Sequence, residues 1–520
     1  MSCRERSAWG VLLAAALLLR VVGLEWRPPH HDEAIHAHFA DAVLTRTEYR
    51  YDPTYHGPLL FYLTAVIFAA GGQSLTTARL YPALAGVALV ALPLLLRRRL
   101  GGRTAFWCGL LLAVSPTFVY YSRFARNDVP VALFTAAALV LLLRRTAGGW
   151  RRLPWVGVLA ALHAISKETF YVTVPLLAGA GGAAALAGGV RGPLRRGWSF
   201  IHRHAAPLTA ALLWFASVTI TAYTFGFIHP EDAAFPLRAV QYWYEQHRIQ
   251  RVAGPWFYYL PRLILYEMAI VGPALVWAVR RRGRLRGIEA FCLAWGLGSI
   301  AAYAFLGEKT PWLLTHQVLP FVPLAGLQLA RTFSPRGRAW SRALAGSLLA
   351  AAAWSTAAVT FRYPAMTTAD PHGELLVYVQ TTPETGELAR RGVLLAEKAG
   401  SPLVAAVAGE ATWPLWWQWR RLPVRWGLPE AGTRPAIVVC NPEDEAAAAA
   451  ALGPDYSARR VPLRAWWVEE WRGVGPREIA LWFVTRRAWS PIGASDMVVF
   501  ERAPAREAGP GQAPAPRPGL

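Results

Sequence analysis

Lysine is almost missing from this chain. Of its 54 basic residues only three, Lys167, Lys309 and Lys398, are lysines, so arginine carries nearly all the positive charge. Cysteine is equally scarce. Cys3, Cys108, Cys292 and Cys440 are scattered with no CxxC pair, which argues against a disulfide framework and against a thiolate metal site. Acids are sparse too, 32 in all, and the formal net charge is +22. That surplus does not describe a nucleic-acid-binding protein, and no nucleic acid is expected as a partner. The arginines lie in short clusters between apolar segments, which is the pattern of membrane topology rather than of a DNA-binding face. What the chain has in quantity is apolar surface. Its hydrophobic content is 54% over 520 residues, with a mean hydropathy of +0.26. This is too apolar for an ordinary soluble protein and long enough for two domains.

The apolar start, Ala8–Leu24, follows Arg4 and Arg6 as a signal peptide would. Arg20 interrupts it and no small-residue cleavage pattern follows, so a retained first helix is expected. Further apolar stretches lie at Leu80–Leu96, Thr104–Tyr121, Val129–Leu143, Leu153–Ile165 and Thr169–Leu186. Others follow at Ala205–Phe227, Phe257–Val279, Ile288–Leu306, Trp312–Ala330 and Ala343–Phe361. Several approach the roughly 20 residues that cross a hydrocarbon core. Charge decides what the shorter stretch Pro58–Ala70 is. If it does not span, every strong arginine cluster (Arg97–Arg103, Arg144–Arg152, Arg191–Arg196, Arg280–Arg286, Arg331–Arg342) falls on the side of the N-terminus. If it spans, the clusters after it flip outside, against the positive-inside rule. Pro58–Ala70 is therefore expected to be a juxtamembrane or re-entrant helix. The sequence predicts a polytopic all-α membrane domain over 1–361 with about eleven transmembrane helices, in the cell membrane, N-terminus cytoplasmic. Over 362–502 the character changes. Leu375–Val379, Leu403–Val407, Ala436–Cys440 and Met497–Phe500 read as strands, with helical composition at Pro383–Ala399 and Pro442–Leu452. This predicts a small α/β domain on the outer face. The Pro/Gly/Ala-rich tail, 503–520, reads as disordered.

On this topology the outer loops collect the polar groups. They carry His30-His31-Asp32-Glu33 with His36 and His38, then Tyr51–Pro58 including His56. Ser122–Asp128 with Arg123 and Arg126 follows, then Lys167-Glu168 and Glu308-Lys309. Ionisable groups near membrane depth cost roughly 2.5–3.5 kcal/mol each at a helix centre, so their presence at span ends points to function. Structural alternatives stand beside each. Asp32 and Glu33 open an expected helix at Ala34–Leu44, where acids favour the helix dipole. Asp32 and His36, four apart, share one face of it. Arg123, Arg126 and Asp128 fit interfacial snorkelling and a salt bridge. Lys167-Glu168 and Glu308-Lys309 fit internal ion pairs. A divalent metal at His31 and His36 stays open, although two histidines and an acid in a loop are a weak signal. The coincidence of all these groups on one side favours a single site. There a carboxylate could act as base and the cations could stabilise a phosphate leaving group.

The run His30–His36, the segment Tyr51-Asp52-Pro53-Thr54-Tyr55-His56-Gly57-Pro58 and the turn Tyr120–Asp128 resemble the flippase-activity-associated membrane proteins. That family, first named from archaeal N-glycosylation gene neighbourhoods, is itself similar to the GT-C superfamily of polyprenyl-phosphate-sugar-dependent glycosyltransferases. Protein O-mannosyltransferases and the lipid A aminoarabinose transferase are better-known relatives. The resemblance covers roughly Ala8–Phe361. It implies a GT-C-like fold, a polyprenyl-phosphate-linked sugar donor, the bilayer as partner and an acceptor the residues do not identify. It further implies Asp32 as base, with Glu33 beside it. His56, Arg123, Arg126, Asp128, Lys167, Glu168, Glu308 and Lys309 would form the donor-phosphate site. His56-Gly57-Pro58 stands where the aminoarabinose transferase type has Lys-Pro-Pro, so His56 takes that lysine's place. The rival reading is a non-catalytic flippase-associated protein for lipid-linked saccharides. A through-path of that kind needs ionisable groups at mid-membrane depth, and Arg20, His163 and Glu267 are the main ones present. A purely structural assembly subunit explains none of the clustered charge.

Overall fold

The computed structural model describes residues 1–45, 49–144, 149–190, 192–249, 254–362, 372–399 and 403–502. The expected disordered tail, 503–520, lies outside them. The chain divides into two compact units. One comprises Met1–Gln380 with Trp466–Ile492, and the other Thr381–Ala465 with the residues from Gly493 onward.

The first unit is helical. Each of the eleven apolar stretches read from the sequence lies largely in helix, with turns at the ends of Ala8–Leu24 and Ala205–Phe227. Among the described residues seven helices are long and apolar enough to cross a membrane, or eight if the bent pair Gly102–Val114 and Pro116–Ser122 is one span. Helix α1 (Cys3–Val21) leads to α2 (His31–Thr45), and α3 (Leu59–Gly71) follows. At 1.5 Å per residue α3 is about 20 Å long, short of a core of about 30 Å. Its residues Leu60 and Phe61 pack with Tyr49, Phe39 and Tyr81.

The bent pair has an identifiable cause. Pro116 has no N–H to continue the first helix, so the chain turns by 59° at Ser115. Ser115 Oγ accepts from Phe118 N to start the second helix. Glu267 Oε1 accepts from Ser115 Oγ (2.8 Å) and from the Thr117 N–H (2.9 Å). Glu267 itself lies at a non-helical kink in Tyr259–Arg280. One buried carboxylate therefore joins two helix breaks, and the bend sets the direction of the Tyr120–Asp128 turn.

Leu375–Val379 is not a strand. Its backbone groups are taken by helix side chains instead: Arg262 Nε donates to Leu375 O (2.9 Å), Tyr266 Oη accepts from Leu375 N (2.9 Å), and Tyr121 Oη donates to Leu376 O. The segment 466–492 belongs to this unit as well. Its Trp482 is fully buried and donates to Gly373 O (2.8 Å), and Arg486 reaches Glu374 and Ser355.

The second unit is organised on a six-stranded sheet. Its strands are β1 (Gln380–Thr381), β2 (Ala405–Val407), β3 (Val424–Trp426), β4 (Ile437–Cys440), β5 (Tyr456–Trp467) and β6 (Ile492–Arg502), in the order β1-β5-β6-β4-β2-β3. β2 pairs in parallel with β3 and β4, and β4 pairs antiparallel with β6. Alternation puts Ala405, Val407, Ile437, Val439, Met497 and Val499 on one face, against Leu388, Leu415 and Trp419 from helices Pro383–Ala399 and Thr412–Trp419. Ala406, Val438, Cys440, Val498 and Phe500 face the other way, toward Ala448 of Glu445–Leu452. Both faces are covered, which explains the uninterrupted apolar runs Ile437–Cys440 and Met497–Phe500.

Candidate active site

Two adjacent acids, Asp32 and Glu33, open α2 and have different surroundings. Glu33 is buried at 2% exposure and receives five donors. Arg79 Nε (2.7 Å) and Nη2 (2.6 Å), Arg27 Nη2 (3.3 Å), Ala125 N (2.9 Å) and His30 N (3.0 Å) all point at it. Arg79 also binds the carbonyls of Leu24, Arg27 and Pro28, and Arg27 stacks over Phe124 at 4.3 Å. Glu33 thus ties the Leu24–His30 loop to the Phe124–Ala125 turn. Burial alone would raise its pKa, but Arg79 and Arg27 outweigh that and hold the carboxyl well below the usual carboxylate range.

Asp32 faces the other way, its side chain one-third exposed and ion-paired with Arg126. Burial pushes its pKa up, while Arg126 first, and His30, His36 and His31 after it, hold it far down. His30 Nδ1 accepts from Asp32 N (3.0 Å), so the imidazole caps the start of α2. His36 Nδ1 contacts the Ala125 carbonyl at 2.7 Å. Burial lowers both histidines to about 4 and leaves them uncharged near neutrality.

Arg126 is the hinge of the polar cluster. Beyond Asp32 its Nε lies 3.6 Å from Asp128, and its guanidinium stacks 3.6 Å over Trp312. Asp128 pairs with Lys167 at 2.7 Å and has His316 Nε2 at 3.6 Å. Lys167 therefore does not pair with its chain neighbour. Glu168 turns instead to His56 Nδ1 (2.8 Å), and the His56 ring stacks on Trp243 at 5.0 Å and 9°. His56 adopts φ +69°, a conformation uncommon for a residue with a Cβ, and the Glu168 contact and the Trp243 stack hold it there. Gly57 fits beneath it: its N–H reaches Ser166 O (3.2 Å), and a Cβ would come 2.1 Å from Ile165 O.

These groups border a cavity of about 320 Å³. Arg126, Lys167, His56, Glu168 and Glu308 line its polar part, and Trp243, Trp312, Tyr171, Tyr244, Val172 and Leu306 line the rest. A cavity with a few converging charges and an aromatic and aliphatic wall suits a ligand with an anionic head and an apolar body.

Two expected phosphate ligands point elsewhere. Arg123 donates to Leu19 O (3.1 Å), Val22 O (2.6 Å) and Gly23 O (2.8 Å), the end of α1. Lys309 donates to Tyr303 O (2.9 Å), Ala304 O (2.7 Å) and Leu306 O, the end of Ile288–Phe305. Cations at helix C-termini are satisfied by the carbonyls and the helix dipole. For a metal, the described residues whose ligand atoms converge are His229, Glu231 and Asp232, and both acids already pair with Arg50. His31 and His36 are not in that group. His163 sits between the hydroxyls of Thr135 (3.1 Å) and Thr169 (3.3 Å).

Arg27, Arg79, Trp243 and His316 were not singled out from the sequence. Arg79 had a signal, because it is an isolated arginine at the helix end away from the arginine clusters. Trp312, at the start of the apolar stretch Trp312–Ala330, is the surface on which Arg126 rests.

Residues 55–221 match the family model described as dolichyl-phosphate-mannose-protein mannosyltransferase. Among curated proteins the sequence finds no match. The structure of ArnT from Cupriavidus metallidurans bound to undecaprenyl phosphate is similar at TM-score 0.62 and 17% identity, covering 97% of this chain and 99% of that one. The Archaeoglobus fulgidus oligosaccharyltransferase in complex with Zn and sulfate is similar at TM-score 0.50 and 14% identity, covering 86% and 69%. The same enzyme tethered to an acceptor peptide with the NVT sequon gives 0.51 and 12%, covering 85% and 69%. The chain is a multi-pass membrane protein with the fold seen in the ArnT and oligosaccharyltransferase structures.

Proposed function

We propose that this chain is an inverting glycosyltransferase that moves a sugar from a polyprenyl-phosphate carrier to an acceptor at the outer membrane face. One observation carries the reading. Asp32, an accessible carboxylate, is paired with an arginine that lines an amphipathic cavity beside Lys167 and His56. The ArnT structure holds undecaprenyl phosphate, and a carrier of that chemistry suits this cavity. The arginine loops, counted by the positive-inside rule, favour a cytoplasmic N-terminus. They put the Asp32 end of the helices and the Thr381–Ala465 unit outside.

In the proposed step the acceptor oxygen bonds to the anomeric carbon of the sugar. The bond from that carbon to the phosphate oxygen breaks, its electron pair leaves on the phosphate, and the acceptor proton passes to Asp32. Arg126, Lys167 and His56 stabilise the charge that develops on the phosphate. The Asp32–Arg126 pair gives the base a switch. A phosphate drawing Arg126 away removes the group that holds the Asp32 pKa down, and burial then makes the carboxylate more basic. Glu33 contributes by fixing the loop, and Asp128 by orienting Arg126 and Lys167.

Purified protein incubated with membrane lipid extract, with and without chelator, tests this by loss of polyprenyl-phosphate sugars. Turnover of a lipid-linked donor is expected. No turnover with any donor would return weight to a non-catalytic role in handling lipid-linked saccharides.

A further inference from the structure

The helices that hold the candidate site converge again at their other ends. The helical stretch Leu75–Leu100 carries Arg79 near its start. Asp128–Leu143 opens on Asp128, and Ile288–Phe305 ends beside Lys309. Followed away from those groups, they meet in a cleft of about 90 Å³ lined by Leu96, Leu100, Leu139, Leu143, Ile288 and Trp295 among others, with no charged residue in its wall. A membrane-embedded cleft of this kind is filled by apolar chain.

Its rim is the reverse. Each of the three helices meets the cleft through arginine: Arg97-Arg98-Arg99 beside Leu96, Arg144 beside Leu143, and Arg286 just before Ile288. Arg98, Arg99, Arg144 and Arg286 are exposed, and Arg99 Nη1 folds over the rim to the Leu143 carbonyl. The loops 97–103, 280–287 and 331–338 contain no Asp or Glu, and neither does 144–152. Exposed Leu95 (48%) and Leu142 (42%) continue the apolar wall outward. An all-apolar slot beneath an arginine-rich rim, whose acid Glu289 is already taken up by Arg281 (3.5 Å), complements one kind of molecule in a bilayer.

We propose that this cleft is a binding site for an anionic phospholipid, with one acyl chain between Leu96, Leu139 and Trp295 and the phosphate among Arg98, Arg99, Arg144 and Arg286. The site is separate from the sugar-transfer cavity and does not depend on its chemistry. By bridging three helices that end in the candidate site, the lipid holds their spacing.

The test uses the full chain in nanodiscs containing equal amounts of phosphatidylglycerol and phosphatidylcholine with identical acyl chains. Native mass spectrometry after release should show one phosphatidylglycerol retained per chain in preference to phosphatidylcholine. Arg98→Gln/Arg99→Gln/Arg144→Gln should cut that retention roughly tenfold or more, because each arginine near an anionic head group adds to binding. Ala136→Phe, which fills the cleft, should remove it. A second measurement needs no variant. Phosphatidylglycerol carrying a photoreactive group on its acyl chain should crosslink to peptides spanning 89–100, 136–143 and 288–295 of the native protein. Equal retention of the two lipids, retention unchanged by Ala136→Phe, or crosslinks spread evenly over all lipid-facing helices would overturn the proposal.

Discussion

Neighbouring acids at the start of α2 divide two tasks that a sequence cannot separate. Glu33 is saturated with donors and buried, whereas Asp32 keeps a single strong partner and a path to solvent. Glu33→Gln should lower stability by about 3–5 kcal/mol, because it leaves Arg79 and Arg27 buried without a counter-charge. Thermal unfolding at pH 7 reads this. The folded pKa of Glu33 is depressed, so its contribution is complete above the unfolded value of about 4.3 and is lost as pH falls toward the folded value. The gap between wild type and Glu33→Gln should therefore narrow below about pH 4; a gap that widens there would contradict the assignment. Arg126→Lys should reduce transfer roughly 100-fold, since lysine keeps the charge but loses the planar fork and the Trp312 stack. A variant that folds and turns over like wild type would remove Arg126 from the site. The acids themselves were legible because charge at the start of an apolar chain is conspicuous. Their partners were not: Lys167 pairs with Asp128, 39 residues away, and Glu168 with His56, 112 residues away, so adjacency in sequence misled.

At the scale of elements, two breaks in regular structure position the site. The Ser115–Pro116 bend aims the Arg123–Asp128 turn, and the His56-Gly57 turn docks on Ile165–Ser166. Gly57→Ala puts a methyl group against the Ile165 carbonyl and should cost about 1–3 kcal/mol while displacing His56. Transfer should fall with it, and a kinetically normal, equally stable variant would show that the turn is not a fixed element. Long apolar runs announced the membrane helices because burial in lipid demands them. The short strand expected at Leu375–Val379 failed for a local reason, since Arg262, Tyr266 and Tyr121 take its backbone groups. β5 went unread although Val461, Leu463, Ala465 and Trp467 alternate inward, because Pro462 and the run of arginines before it obscure the pattern.

Across the whole molecule, the arginine clusters make orientation testable with a native reporter. Cys3 is exposed while Cys108, Cys292 and Cys440 are buried. A membrane-impermeant maleimide should label Cys3 only after permeabilisation, whereas Ala431→Cys, exposed on the second unit, should label in intact cells. The reverse order would invert the proposed topology. The proposed orientation rests on charge placement alone; the return of 466–492 to the membrane unit was not legible, because tertiary contacts such as Trp482 to Gly373 O decide it. The most direct test of the account compares wild type and Asp32→Asn, purified side by side, for transfer from a polyprenyl-phosphate sugar and for binding of the carrier phosphate. With Asp32 as the base and Arg126 released, transfer should fall by roughly 10²–10⁴ while carrier binding is kept or tightened. Transfer at the wild-type rate, or loss of carrier binding together with transfer, would contradict it.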